Sequence, residues 1–355
     1  MLEAEVTYLP TTAYPFHLHA KRYWVPAFER NASDPDALTL LFFHATSFHK
    51  ETWVPTIERL FDLAASEDCP VKIREAWCLD CPNHGRSASM NANALLQPEY
   101  HLNFSCERYA QAIHQFLSAT PYHAPKIDFK KRNLVGIGHS LGGVAVTFLQ
   151  DLQPTYPFSS LILIEPLLSP AGGHHLHKLR ELLVKGAYER RDVWPDRAAA
   201  LEAVKSRERV KKWHPAVVES FVQYGIVEHP GARYLEGRYP GVTLACTREQ
   251  EAAMYRDPDG ATKPIATLNR LCRTLPGGAH LILGGVADFV PKRVHKAIRE
   301  GRSWASVNVI QKSGHLMVQE VPDELAQSVL NALRNGQARR RRGGEARGGA
   351  AKSRL

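Results

Sequence analysis

The chain has 355 residues, 44% of them hydrophobic, enough to bury the core of one large domain or two smaller ones. Its net charge of +9 is concentrated at one end: residues 336–355, GQARRRRGGEARGGAAKSRL, carry six Arg and one Lys against one Glu and so hold +6 of it. No stretch approaches the roughly eighteen consecutive apolar residues of a membrane span, and the opening MLEAEVTYLPTTAYPFHLHA has neither the basic start nor the apolar centre of a secretion signal, so a transmembrane chain is excluded and export is not expected.

In chain order, short apolar runs alternate with helical patterns. ALTLLFFH (37–44) and VKIREAWCLD (71–80) suit buried parallel strands, and CERYAQAIHQFLSA (106–119) follows as a helix. NLVGI (133–137) predicts a strand running into a helix over 141–152, and SLILIE (160–165) predicts the next strand. AHLILGG (279–285) and WASVNVI (304–310) complete the set, and PDELAQSVLNALRN (322–335) reads as a helix with Pro322 in its first turn. Strand and helix in alternation imply an α/β architecture, a mostly parallel sheet covered on both faces.

One interval breaks the rhythm. From 166 to 275 no buried strand is legible, only amphipathic stretches interrupted by VWPDR, WHPAV and EHPGARYLEGRYPGV. The division expected is a core of residues 1–165 and 276–335, an inserted helical lid over 166–275, and a disordered basic tail over 336–355, whose Gly, Ala and Arg have no apolar period. A run such as Arg339–Arg342 can meet nucleic acid or an anionic membrane surface, but a solvated tail is the reading preferred, with no nucleic-acid partner.

Within NLVGIGHSLGGVAVTFL (133–149), Ser140 stands directly after a buried strand and directly before a helix. Gly-x-Ser-x-Gly in that place is a nucleophile elbow: the glycines allow a tight turn, and the hydroxyl is thrust above the sheet. The amide of Leu141 then points at a developing oxyanion from the helix N-terminus. A serine hydroxyl needs a base and a carboxylate to hold that base. Asp288 follows the strand 279–285 and His315 follows the strand 304–310, so both lie beyond strand carboxyl ends, where catalytic groups gather. Ser140, Asp288 and His315 are the triad expected, against a helix cap for Asp288 and an ordinary loop histidine for His315.

With these residues placed, the sequence resembles the α/β-hydrolase superfamily over roughly residues 38–335. FFHATSFHKETW (42–53) looks like the segment that usually reads His-Gly and supplies the second oxyanion donor, here Thr46 or Ser47, with Ala45 in place of glycine. LDCPNHGRS (79–87) looks like the family's Asp-x-Pro-Gly-x-Gly-x-Ser loop, with Asn83, which tolerates left-handed backbone, in place of glycine. Some superfamily members carry the triad carboxylate after the strand that precedes the lid, which makes Glu165 the rival acid. Asp288 is favoured because GGVADFVP fits the commoner pattern.

HATSFHKE, IEPLL, GHSLGG and the terminal Ser353-Arg354-Leu355 together look like a narrower group, the fungal peroxisomal α/β-hydrolases, which includes lipase-type and toxin-biosynthesis hydrolases. Ser-Arg-Leu is a conservative variant of the Ser-Lys-Leu address read by the peroxisomal import receptor, so a peroxisomal location is expected.

The resemblance implies hydrolysis of a small-molecule carboxylic ester, of a lipid or a secondary metabolite, through an acyl-enzyme with no cofactor. A CoA-thioesterase or acyltransferase comes second, and a ligand-binding member without catalysis third. Serine in the elbow argues against dehalogenase or epoxide-hydrolase chemistry, which needs a carboxylate there.

Other clusters receive plainer readings. Six cysteines are too few for a disulfide framework in a chain this size and fit a reducing compartment; Cys78 and Cys81, a lone CxxC, read as small strand-end residues. His174, His175 and His177 lack a Cys or acidic partner at ligand spacing, so no metal is expected. Trp194, Trp213, Phe221 and Tyr224 read as lid packing that can also touch an acyl group.

Overall fold

A computed structural model describes residues 1–119, 127–229 and 241–352, with side chains through Arg342. Eight strands form one sheet: β1 (Leu2–Tyr8), β2 (Leu18–Trp24), β3 (Leu38–Phe43), β4 (Ile73–Leu79), β5 (Asn133–His139), β6 (Phe158–Ile164), and two late strands. Between β6 and those two, the inserted segment contributes β7 (Val193–Trp194), β8 (Ile226–Glu228) and β9 (Val242–Leu244); β10 (Gly278–Gly284) and β11 (Ser306–Ile310) then complete the large sheet.

The order across the large sheet is β1-β2-β4-β3-β5-β6-β10-β11, parallel from β4 to β11 with an antiparallel pair at one edge. Each crossover carries a helix, so both faces are covered and the strands read as unbroken apolar runs. Alternate residues feed opposite layers. Leu41, Phe43, Leu161, Leu163 and Leu281 pack into one core; Leu40, Phe42, Ile162, Ile164 and Ile282 pack into the other. Full burial of each such side chain contributes about 1.5–3 kcal/mol.

The strands expected from apolar runs lie where the sequence placed them, within a few residues. The β1–β2 pair was not legible as a buried run because it alternates charge with apolar residues, and Lys21 is buried through ion pairs to Glu3 and Glu5.

Two differences concern the inserted segment and the tail. Residues 166–275 hold a small antiparallel sheet, β7-β9-β8, as well as helices, with strands of two or three residues, too short to leave a period in the sequence. The helix Ile265–Thr274 buries Leu268, Leu271 and Cys272 in the main core rather than in the cluster around Trp194 and Phe221.

The last helix runs from Pro322 to Lys352, through Gly336, where the composition predicts an unordered tail. Its extension is held by contacts: Gly336 sits against the Ser160 hydroxyl, and Arg340 pairs with Asp36 at 3.0 Å. Ser353, Arg354 and Leu355 lie outside the described residues. Among the described residues no helix is long and apolar enough to cross a membrane.

Candidate active site

Three loops at the carboxyl ends of β5, β6 and β11 converge on one point. Ser140 stands at φ 54°, ψ −117° between β5 and the helix Leu141–Phe148, and its backbone N–H donates to Ile164 at 3.0 Å. A left-handed backbone on a residue with a Cβ costs of order 1–3 kcal/mol and persists only where the surroundings enforce it. Here the enforcement is close packing: a Cβ at Gly138 would lie 2.5 Å from the Gly142 carbonyl oxygen, and one at Gly142 would collide with the carbonyl oxygen of Phe43. Glycine at both places lets the elbow press against β3.

The imidazole of His315 faces this hydroxyl, with Nε2 3.0 Å from Ser140 Oγ. Its Nδ1 is 3.2 Å from Oε2 of Glu165, a side chain 1% exposed. The carboxylate therefore favours the tautomer with hydrogen on Nδ1, leaving Nε2 free to take the serine proton.

Glu165 is itself tightly held. It adopts φ 43°, donates its backbone N–H to Ile282, accepts from the Gly284 amide at 2.7 Å through Oε1, and meets His295 Nε2 at 3.0 Å through Oε2. Burial pushes this carboxyl up, but hydrogen bonds from His295 and His315 and the charge of both rings outweigh it and bring the pKa to about 2. The ring of Phe289 stacks on His315 at 4.3 Å, and His139 Nε2 donates to the His315 carbonyl at 2.8 Å.

Asp288 occupies a different position from the one its sequence pattern suggests. Its Oδ1 accepts the backbone N–H of His315 at 3.0 Å, and its side chain is exposed, so it anchors the loop and leaves the ring to Glu165. The reason is reach: Glu165 comes from β6, between β5 and β10, and its extra methylene brings the carboxylate under the imidazole. A Cβ at Gly314 would run into the Asp288 carboxylate, so this anchor depends on glycine before the histidine.

The oxyanion side separates the expected donors. Leu141 opens its helix, so its amide is one of the unpaired donors every helix start presents. Ser47, at φ 74°, gives its backbone N–H to His84 Nε2 at 3.0 Å, so of the two candidates in this loop Thr46 is the one whose amide has no hydrogen-bond acceptor among the described residues. His84 is fully buried, with Nδ1 2.7 Å from Asn83 Oδ1; His44 donates Nδ1–H to Ala45 and accepts from the Cys81 amide. Burial lowers the pKa of both rings, His44 to about 4, which keeps them neutral as this pattern requires. The left-handed residue of this loop is Gly85, at φ 53°, rather than Asn83, and a Cβ there would meet the Asp80 carboxylate.

Behind the loop lies a buried charge cluster. Lys50, 1% exposed, pairs with Asp80 at 2.9 Å and Glu51 at 2.7 Å, and Asp80 also accepts the amides of Lys50 and Arg86. The inserted segment reaches the loop from the other side: Ser47 Oγ donates to Glu251 at 2.5 Å, and Glu251 pairs with Arg190. Glu251 is 204 positions from Ser47, and no local pattern in the sequence signals the contact. The contacts of His295 with Glu165 and of Tyr255 with Ser47 likewise join residues far apart in the chain.

A cavity of about 590 Å³ opens over Ser140 and His315, walled by Thr46, Ser47, Trp213, Phe221 and further side chains of the inserted segment. Trp194 and Tyr224 do not line it: Trp194 is buried in the segment's own core and Tyr224 lies beside His49. Cys78 and Cys81 are free and buried, with Cys81 Sγ bonded to Asn83. Among the described residues no cluster of His, Cys, Asp or Glu forms a metal site; His177 pairs with Glu181.

Comparisons with known proteins agree with this architecture. The peroxisomal alpha-beta-hydrolase Lpx1 of Saccharomyces cerevisiae is similar at TM-score 0.68 and 19% identity, over 96% of this chain and 89% of that one. The thioesterase domain from the curacin biosynthetic pathway is similar at TM-score 0.63 and 14% identity, over 93% and 100%. In sequence, the type I acyl-CoA thioesterase mpaH of Penicillium roqueforti (strain FM164) is 29% identical over 61% of this chain and 46% of its own. The Alternaria alternata protein AFT2-1, an abhydrolase domain-containing protein, is 30% identical over 35% and 45%. The chain thus spans less than half the length of these curated relatives. The model of the alpha/beta hydrolase family matches residues 40–328, and the chain belongs to that family.

Proposed function

We propose that the protein is a serine-dependent hydrolase that cleaves a carboxylic ester or thioester through an acyl-enzyme, with Ser140 as nucleophile, His315 as base and Glu165 as the carboxylate that orients it. The observation that carries this reading is the alignment of Ser140 Oγ, the His315 ring and Glu165 Oε2 at 3.0 and 3.2 Å. In the first step Ser140 attacks the carbonyl carbon as its proton passes to Nε2, and the amides of Leu141 and Thr46 stabilise the oxyanion. The alcohol or thiol leaves with that proton. Water, deprotonated by the same imidazole, then releases the acid, and neither step calls for a metal or organic cofactor.

Thioesters are the second substrate reading, supported by relatives named acyl-CoA thioesterases and by a cavity whose apolar wall suits an acyl chain. Acyl transfer to an alcohol is the same chemistry with water excluded. Turnover of matched p-nitrophenyl esters and acyl-CoA thioesters by the wild type and Ser140→Ala tests the proposal. Loss of both activities in the variant supports it. Activity that survives the variant, or a folded wild type inert toward both substrates, overturns it, and the latter leaves a ligand-binding role.

Location is a separate proposal. Ser353-Arg354-Leu355 resembles the Ser-Lys-Leu peroxisomal address, and the structurally similar Lpx1 is named peroxisomal. A fluorescent fusion with and without the tripeptide tests it.

A further inference from the structure

The cavity over Ser140 is apolar along Leu179, Leu182, Leu183, Val204 and Val210, yet Arg190, Arg207 and Arg209 also line it. The acidic side chains of the same wall are Glu251 and Asp288. Asp288 is turned to the backbone of His315, and Glu251 is already shared among Ser47, Tyr255 and Arg190. Arg207, half-buried, makes only a long bond, 3.4 Å, to the Arg191 carbonyl, and pairs with no carboxylate among the described residues. Arg190 keeps a buried Nε with no hydrogen-bond partner. Burial and then the neighbouring charge of Arg190 both work against the Arg207 cation. Two guanidinium groups that line the same largely apolar wall, with one carboxylate paired to Arg190 and none to Arg207, are electrostatically incomplete, and an anion with several acceptor oxygens completes them.

We infer that Arg207 and Arg190 form a subsite for an anionic group of the substrate, a carboxylate or a phosphate carried away from the reacting carbonyl. The substrate class is then an anionic ester or thioester. This rests on the serine-hydrolase reading for what happens at the carbonyl, but the subsite can be read without turnover.

The test is equilibrium binding of non-hydrolysable thioethers with one acyl chain: the CoA thioether, the neutral pantetheine thioether, and the pantetheine thioether ending in an ω-carboxylate. The wild type should bind at least one anionic compound more tightly than the neutral one. In Arg207→Gln that preference should fall on the order of tenfold to a hundredfold, with Arg207→Lys keeping part of it. A loss confined to the CoA compound assigns the subsite to phosphate, and one confined to the ω-carboxylate assigns it to an acidic acyl chain. Equal affinity of the wild type for anionic and neutral compounds, or a preference that survives Arg207→Gln, overturns the inference. A wild type that shows the preference but turns over no ester or thioester would count against the hydrolase reading alone.

Discussion

Oε2 of Glu165 lies 3.2 Å from Nδ1 of His315, while the Asp288 carboxylate meets only the backbone amide of that histidine, at 3.0 Å. The two acids thus hold different parts of His315, and the proposed mechanism gives them separable roles. In the proposed mechanism, removing the charge of Glu165 loses the tautomer and stabilisation of the protonated ring, so Glu165→Gln should lower kcat by about 10²- to 10⁴-fold. Asp288→Asn keeps an acceptor for the amide and should cost roughly tenfold or less. Steady-state kinetics of both variants decide the matter, and a loss in Asp288→Asn equal to or greater than that in Glu165→Gln contradicts the assignment.

The loop proposed to supply the second oxyanion donor is tied to a side chain from the inserted segment. Ser47 is tied through its amide to His84 and through its hydroxyl to Glu251, which fixes the direction of the neighbouring Thr46 amide. Glu251→Gln weakens one tie and frees Arg190. For a small neutral ester, kcat should fall on the order of tenfold with KM changed less, because the donor serves the transition state more than the bound substrate. An unchanged kcat would show that the loop holds its shape without this contact.

Buried neutral histidines set the acid limit of stability. Burial lowers the pKa of His44 to about 4 and of His139 to about 3, against about 6.5 in an unfolded chain. The unfolded chain therefore takes up protons that the folded chain refuses, so stability is full above about pH 6.5 and falls below it. The slope approaches about 1.4 kcal/mol per pH unit for each ring. Glu165, at about 2, adds its loss only below about pH 4.5. Denaturation midpoints should thus decline between pH 6.5 and 4.5, and a constant midpoint across that window would contradict the burial of neutral rings.

Lys50 holds Asp80 and Glu51 in a site that water does not reach. Lys50→Met fills the volume but leaves Asp80 without its cation and Glu51 with only Lys21, at 3.8 Å, and the His49 ring, at 3.0 Å, and should destabilise the fold by about 3–5 kcal/mol. Denaturant unfolding measures this. A loss below about 1 kcal/mol would mean that the backbone amides around Asp80 carry the loop by themselves.

What the sequence disclosed follows the range of the interactions involved. Ser140, its glycines and the flanking strand and helix are neighbours in the chain, so the strand–turn–helix is legible in a dozen residues; the loop that brings His315 to 3.0 Å from Ser140 is legible because strand and loop alternate regularly before it. The choice between Asp288 and Glu165 depends on which strands are adjacent and how far each side chain reaches, and neither is written in spacing. β1 and β2 escaped detection because Lys21 is buried by ion pairs rather than by apolar character. The helix beyond Gly336 departs from its composition because packing against Ser160 and the pair with Asp36 act across the fold. Glu251 belongs with these, since its partner is a serine in another segment.

The most direct measurement is intact and peptide mass spectrometry of the purified protein after reaction with a fluorophosphonate, with Ser140→Ala alongside. The predicted result is one adduct, on Ser140, absent from the variant and formed far more slowly in Glu165→Gln. An adduct on another residue, or none on a chain shown to be folded, would contradict the claim that His315 and Glu165 activate this serine.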